Sequence, residues 1–124
     1  MAVDTIFVRA IRLSASVGTH SWERRTLQPL EVDIDAEVDT TQLLATGSLK
    51  HGVDYSVMIR TVKRVVLHDH VELLEVLADR IALELLSDTP ASRIRVEIRK
   101  YGACTGEANH VGVVVRRERP SVGS

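Results

Sequence analysis

From Leu30 to Asp39 the chain alternates without a break. Leu30, Val32, Ile34, Ala36 and Val38 are apolar, and Glu31, Asp33, Asp35, Glu37 and Asp39 are acidic. A strict period of two predicts a strand with one buried face and one uniformly acidic face. Ile6 to Val17 (IFVRAIRLSASV) alternates more loosely, but its β-branched residues predict a strand there too. Ile94, Val96 and Ile98 alternate with Arg93, Arg95, Glu97 and Arg99, a third strand whose polar face is mostly basic. Val111 to about Arg117 predicts a fourth strand. Between the two strand pairs the period changes. Asp54 reads as an N-cap, and Val57, Met58, Thr61, Val62, Val65 and Val66 share one face of a helix ending near Val66. Leu74, Leu77, Ala78, Ile81, Ala82 and Leu85 step by threes and fours, predicting a second helix from about Val71 to Ser87. Asp88-Thr89-Pro90 stops it. Thr41 to Ala45 predicts one helical turn ended by Gly47, and His68-Asp69-His70 is a connector.

The order is β-β-α-α-β-β, with no internal repeat and no linker. It predicts an α+β fold in which both helices pack on one face of an antiparallel sheet. Residues 1–119 form the single domain, and 120–124 are a frayed, disordered tail. The acidic face of the second strand can lie across from the basic face of the third, where cross-strand pairs are favourable. That face is either an ordinary solvated surface or the lining of an oligomeric barrel.

Composition narrows the function. The chain has 124 residues, 44% hydrophobic and 27% charged, with one Phe, one Trp and two Tyr. The core is therefore aliphatic, and Phe7 is the one plain aromatic core candidate. A formal net charge of -1 argues against a polyanion binder, because nucleic-acid affinity needs clustered Lys and Arg. One cysteine, Cys104, excludes an internal disulfide. The first residues carry no basic segment followed by an apolar one, and no apolar run approaches the ~20 residues of a membrane helix. The expectation is a soluble cytoplasmic protein with no nucleic-acid and no membrane partner.

No Gly-rich phosphate loop, CxxC, HExxH or GxSxG occurs, so chemistry must come from dispersed residues. His68 and His70 form an HxH pair that could hold a metal only if a third ligand converged. Cys104 reads as filler or a loop thiol. Glu23 sits in a long loop (GTHSWERRTLQP) between Trp22 and two arginines, where a surface salt bridge is the plain reading. Tyr55 opens the first helix as a packing residue. Glu75 falls at the edge of an apolar helix face, as a solvated flank or a ligand anchor. Lys100 ends the third strand, where a long loop begins.

Together these residues acquire a common context. The stretches VGTHSWERRTLQPLEVDI, GVDYSVM, ELLEVLADRIA and VEIRKYGA…VGVVV, in this order and spacing, resemble the dihydroneopterin aldolase family. The resemblance runs from about Ile6 to Arg119. It implies the tunnelling fold (T-fold), with subunits closing into a ring whose strands form one barrel. It implies a homo-oligomer, octamer or tetramer, with active sites between subunits and a small pterin substrate. On the matching positions, Glu75 would grip the pterin amino group and N3–H, helped by main-chain groups near Leu73 and Leu74. Tyr55, with Val53 and Asp54 beside it, would come from the adjacent subunit and cover the ring. Lys100 and Glu23 would flank the reacting side chain with a water between them, and Lys100, Glu23 and Tyr55 would be catalytic. The implied reaction is retro-aldol cleavage in folate biosynthesis, with no metal and no cofactor. A sister branch epimerises dihydroneopterin triphosphate, which Arg24 and Arg25 could meet, and a non-catalytic pterin-binding T-fold protein is the third alternative. The chain departs from the family pattern at Lys100-Tyr101-Gly102, where relatives carry a proline after the lysine.

Overall fold

The computed structural model describes residues 1–102 and 106–120. Four strands, β1 (Val3–Ala15), β2 (Gln28–Asp39), β3 (Arg93–Tyr101) and β4 (His110–Glu118), form one antiparallel sheet in the order β1-β2-β3-β4. Between β2 and β3 the chain makes a short helix, α1 (Thr41–Thr46), and two longer ones, α2 (Tyr55–Val66) and α3 (Leu74–Asp88). Short 3-10 turns occupy Ser21–Arg24 and Leu49–His51. This is the α+β arrangement read from the sequence. Cys104 and residues 121–124 lie outside the described residues.

The period-two pattern of β2 translates directly into layers. Leu30, Val32, Ile34, Ala36 and Val38 are buried with Ile94, Val96 and Ile98 of β3 against Met58 and Val62 of α2 and Leu77, Ala78, Ile81, Ala82 and Leu85 of α3. The helix boundaries follow local chemistry. Asp54 accepts a hydrogen bond from Ser56 N–H at 2.8 Å, which caps α2. Gly47 ends α1 in the left-handed conformation, φ 66°. Beyond α3, the Arg119 guanidinium donates to the carbonyls of Leu86, Thr89 and Ala91 and closes the turn into β3.

Two expectations change. The second long helix starts at Leu74, not Val71. Val71 instead makes an isolated parallel bridge with Val17, donating to Ser16 O at 3.2 Å and accepting from Gly18 N at 3.1 Å. Its backbone groups are committed to the end of β1, so the chain stays extended through Leu73. Phe7, the expected core aromatic, is 55% exposed. Ile6 and Val8 take the inward positions beside it, and the Phe7 ring instead lies under the Arg9 guanidinium, 4.4 Å from carbon to ring centre.

The outer face of the sheet is a lattice of opposite charges. Glu31 faces Arg99, Asp35 faces Arg95 and Glu37 faces Arg93. Asp33 lies opposite Glu97, a like-charge pair, but Arg99 donates to both, at 2.8 and 2.7 Å. The guanidinium beside them holds the carboxyls of Asp33 and Glu97 below their ordinary values.

Candidate active site

Lys100 and Gln28 occupy unexpected positions on the sheet. Both continue the inward-facing register: Gln28 precedes Leu30 on β2, and Lys100 follows Ile98 on β3, where it is paired with Leu30. A lysine and a glutamine therefore point to the apolar side at one end of the sheet. The loop after β1 supplies the third member. Its 3-10 turn brings Glu23 back under Gly18, and Glu23 is only 3% exposed.

Lys100 Nζ donates to Glu23 Oε2 at 2.5 Å. Gln28 Nε2 donates to the same oxygen at 3.0 Å, and its amide also contacts Val17 O at 2.5 Å. His20 N–H donates to Glu23 Oε1 at 3.1 Å. Burial alone would push the Glu23 carboxyl up. The hydrogen bonds from Lys100, His20 N–H and Gln28, with the charge of Lys100, outweigh it and lower the value to about 2. Glu23 is thus a fixed anion, not the solvated partner of a surface salt bridge. Lys100 meets it directly.

These residues line an open groove of about 300 Å³ with Gly18, Thr19, His20, Trp22, Glu72 and Gly102. The imidazole of His20 stacks on the Trp22 indole at its mouth, with ring centres 6.2 Å apart. Arg24 donates to Glu72 at 2.9 Å beside it. The arrangement suits proton transfer. An amine held against a buried carboxylate faces a cleft large enough for a small molecule.

The other expected residues stand outside this groove. Glu75 is exposed in the first turn of α3, and among the described residues no hydrogen bond or ion pair holds its carboxylate. Leu73, 47% exposed, is the extended residue ahead of α3, and Leu74 is half-buried. Val53 is buried, Asp54 caps α2, and Tyr55 is exposed at the start of α2. The HxH pair is split: His68 is exposed, while His70 turns inward to Ser16 and Gly18. Among the described residues no group of three or more His, Cys, Asp or Glu side chains could hold a metal ion. No helix among them is long and apolar enough to cross a membrane.

Gln28 and His70 are the residues that sequence reasoning passed over as parts of the site. Gln28 had a signal, since it stands on the apolar parity of β2. His70 had none, because its partners are 52 and 54 residues away.

A family model described as dihydroneopterin aldolase matches residues 6–116. A dihydroneopterin aldolase of Escherichia coli is 26% identical over 115 residues, covering 93% of each chain. The crystal structure of E. coli dihydroneopterin aldolase in complex with neopterin superposes with a TM-score of 0.85 at 25% identity, covering 92% of this chain and 98% of the other. A Burkholderia thailendensis dihydroneopterin aldolase bound to guanine gives a TM-score of 0.81, also at 25% identity, covering 95% and 93%.

Proposed function

We propose that this chain, which belongs to the dihydroneopterin aldolase family, cleaves the C1'–C2' bond of 7,8-dihydroneopterin in folate biosynthesis. The products are 6-hydroxymethyl-7,8-dihydropterin and glycolaldehyde. The carrying observation is the buried Glu23–Lys100 pair, 2.5 Å apart at the wall of an open groove.

The chemistry asks little of the protein. With Lys100 first giving its proton to solvent, the 2'-hydroxyl passes its proton to the free amine as C1'–C2' breaks, and its carbon becomes the aldehyde. The C1'–C2' electron pair passes into the ring's own C6=N5 system, and N5 takes a proton from water. The Lys100 ammonium then protonates C1', N5 loses its proton, and C6=N5 is restored. Glu23 stabilises the ammonium that forms on Lys100 and fixes its position. Tyr55 assists protonation of the enol intermediate. Glu75, an exposed carboxylate without an internal partner among the described residues, accepts two hydrogen bonds from the 2-amino group and N3–H of the pterin. Main-chain groups near Leu73 and Leu74 help seat the ring.

In this reading the sites are completed between subunits, where Tyr55 with Val53 and Asp54 is brought by a neighbour. Support comes from the sheet itself. β1 and β4 are edge strands of 13 and 9 residues, long edges that proteins ordinarily cover or pair. Pairing them between copies closes a ring, an octamer or tetramer, with the charged face turned inward.

Purified protein with 7,8-dihydroneopterin is expected to release glycolaldehyde. Turnover of the triphosphate alone, and only to its epimer, overturns the aldolase reading.

A further inference from the structure

Two of the pieces of chain that the aldolase reading brings to the site lie far apart in sequence. One is the loop from Ser16 to Glu23, which carries the carboxylate. The other is the extended segment from His70 to Leu74, which leads into Glu75. The Val17–Val71 bridge joins their backbones. One side chain joins them as well. The imidazole of His70 reaches across the bridge and contacts the loop at two points: Nδ1 lies 2.5 Å from Ser16 Oγ, and Nε2 lies 3.0 Å from Gly18 O.

A carbonyl oxygen only accepts, so Nε2 must carry the hydrogen. In the neutral ring Nδ1 is then an acceptor, and the Ser16 hydroxyl donates to it. Gly18 is the residue directly beneath the Glu23 carboxylate: a Cβ there would fall 2.1 Å from Glu23 Cδ. The Ser16 hydroxyl also lies 3.4 Å from Glu23 O. The single Ser16 hydroxyl hydrogen then goes to Nδ1 and not to Glu23 O, so it is the Gly18 contact of His70 that bears on where Glu23 sits.

We infer that His70 is a positioning residue, which fixes the Glu23 loop against the segment leading to Glu75 through its contacts with Gly18 O and the Ser16 hydroxyl. It touches no reacting atom. It acts through Gly18, setting the register between the proton-transfer pair and the substrate-binding segment. A displacement of the loop by about 1 Å is enough to cost much of the rate, because proton transfer depends on near-contact geometry. Arg24–Glu72, exposed on both sides, is a second and weaker link between the same two pieces.

The inference rests on the aldolase reading for its kinetic consequences but not for its geometry, and the experiments separate the two. Nitrogen-15 NMR of the full-length protein at about pH 8.5, above the ordinary imidazole range, is expected to show His70 as the Nε2–H tautomer. A Nδ1–H tautomer overturns the inference whatever the protein catalyses. With 7,8-dihydroneopterin, His70→Ala is expected to lower kcat about tenfold to a hundredfold while KM changes by less than about threefold. His70→Gln, whose amide can still donate to Gly18 O, is expected to recover part of kcat. A folded His70→Ala protein with wild-type kcat overturns the inference, as does an equal loss in His70→Ala and His70→Gln. Should His70→Ala fail to fold, Ser16→Ala, which removes one of the two contacts, is expected to lower kcat with the same sparing of KM. Wild-type kcat in Ser16→Ala then counts against the clasp. If the wild-type protein does not turn over dihydroneopterin, the aldolase reading fails and the tautomer measurement still decides this one.

Discussion

Gly18 holds φ at +126°, and any Cβ there would overlap the Glu23 carboxylate. This accounts for the glycine five residues ahead of the glutamate: the anion can fold back over the chain only if nothing projects from that position. Gly18→Ala is expected to displace Glu23 and lower kcat/KM at least about a hundredfold, in a steady-state assay of glycolaldehyde release. Glu23 also carries a pH signature. Its folded value, about 2, lies below the ordinary glutamate value of 4.5. A depressed carboxyl contributes stability that is fully present above the unfolded value and is lost as pH falls toward the folded one. Between about pH 5 and 2, denaturant titrations should show the wild type losing on the order of 2–3 kcal/mol relative to Glu23→Gln. Parallel curves would remove Glu23 from that role. The remaining site residues divide by step. Lys100→Ala should reduce the chemical step far more than pterin affinity, and Glu75→Ala should weaken pterin binding first. Single-turnover kinetics with equilibrium titration separates these cases, and unchanged activity in Lys100→Ala would sink the mechanism.

At the level of elements, β1 explains why its alternation is loose. Ile6 and Val8 face the core through their pairing with Ala36 and Ile34, but beyond the bulge the inward residues are Ile11, Leu13 and Ala15. The switch from even to odd positions occurs at Ala10, which adopts φ 55° and donates its N–H to Asp33 Oδ1 at 2.8 Å. An alanine in the left-handed region costs about 1 kcal/mol or more. Ala10→Gly relieves this at some cost in unfolded-state entropy, and should stabilise the protein by about 0.5 kcal/mol, read as a small rise in Tm. A fall in Tm would mean that the Cβ of Ala10 contributes packing that outweighs the strain. The start of α3 shows the reverse relation between pattern and structure. Helical periodicity begins early enough to admit Val71, yet the backbone of Val71 is taken by Ser16 and Gly18. Periodicity reports which side chains face the core. It does not report where a neighbouring strand claims the first amides.

At the level of the molecule, four strands leave two unpaired edges, and several large apolar side chains, among them Leu73, Val76, Leu83 and Tyr55, remain exposed on the single chain. Pairing of copies into a ring, as proposed above, would cover both. Light scattering coupled to size exclusion should therefore give a mass near four or eight times 13.7 kDa. A 13.7 kDa species alone at micromolar concentration would count against the ring. In an assembly of this kind stability is linked to subunit concentration, so Tm should rise as the protein is concentrated.

The sequence by itself determined the two-layer architecture, the order of elements and the matched charges of β2 and β3, because each is written in a local period or in the polarity of alternate residues. The inward parity of Gln28 and Lys100 was also legible, as polar residues continuing an apolar register. The burial of Glu23 was not. A glutamate between Trp22 and two arginines reads as a surface residue, and only the return of the 3-10 turn under Gly18 removes it from water. Nor was the direct Glu23–Lys100 contact legible, since it joins residues 77 apart through a loop that has no periodicity. His70 and Val71 likewise take their roles from partners more than 50 positions away. Pattern along the chain encodes which face is buried, whereas contacts between loops depend on closure of the fold, and that depends on every element at once.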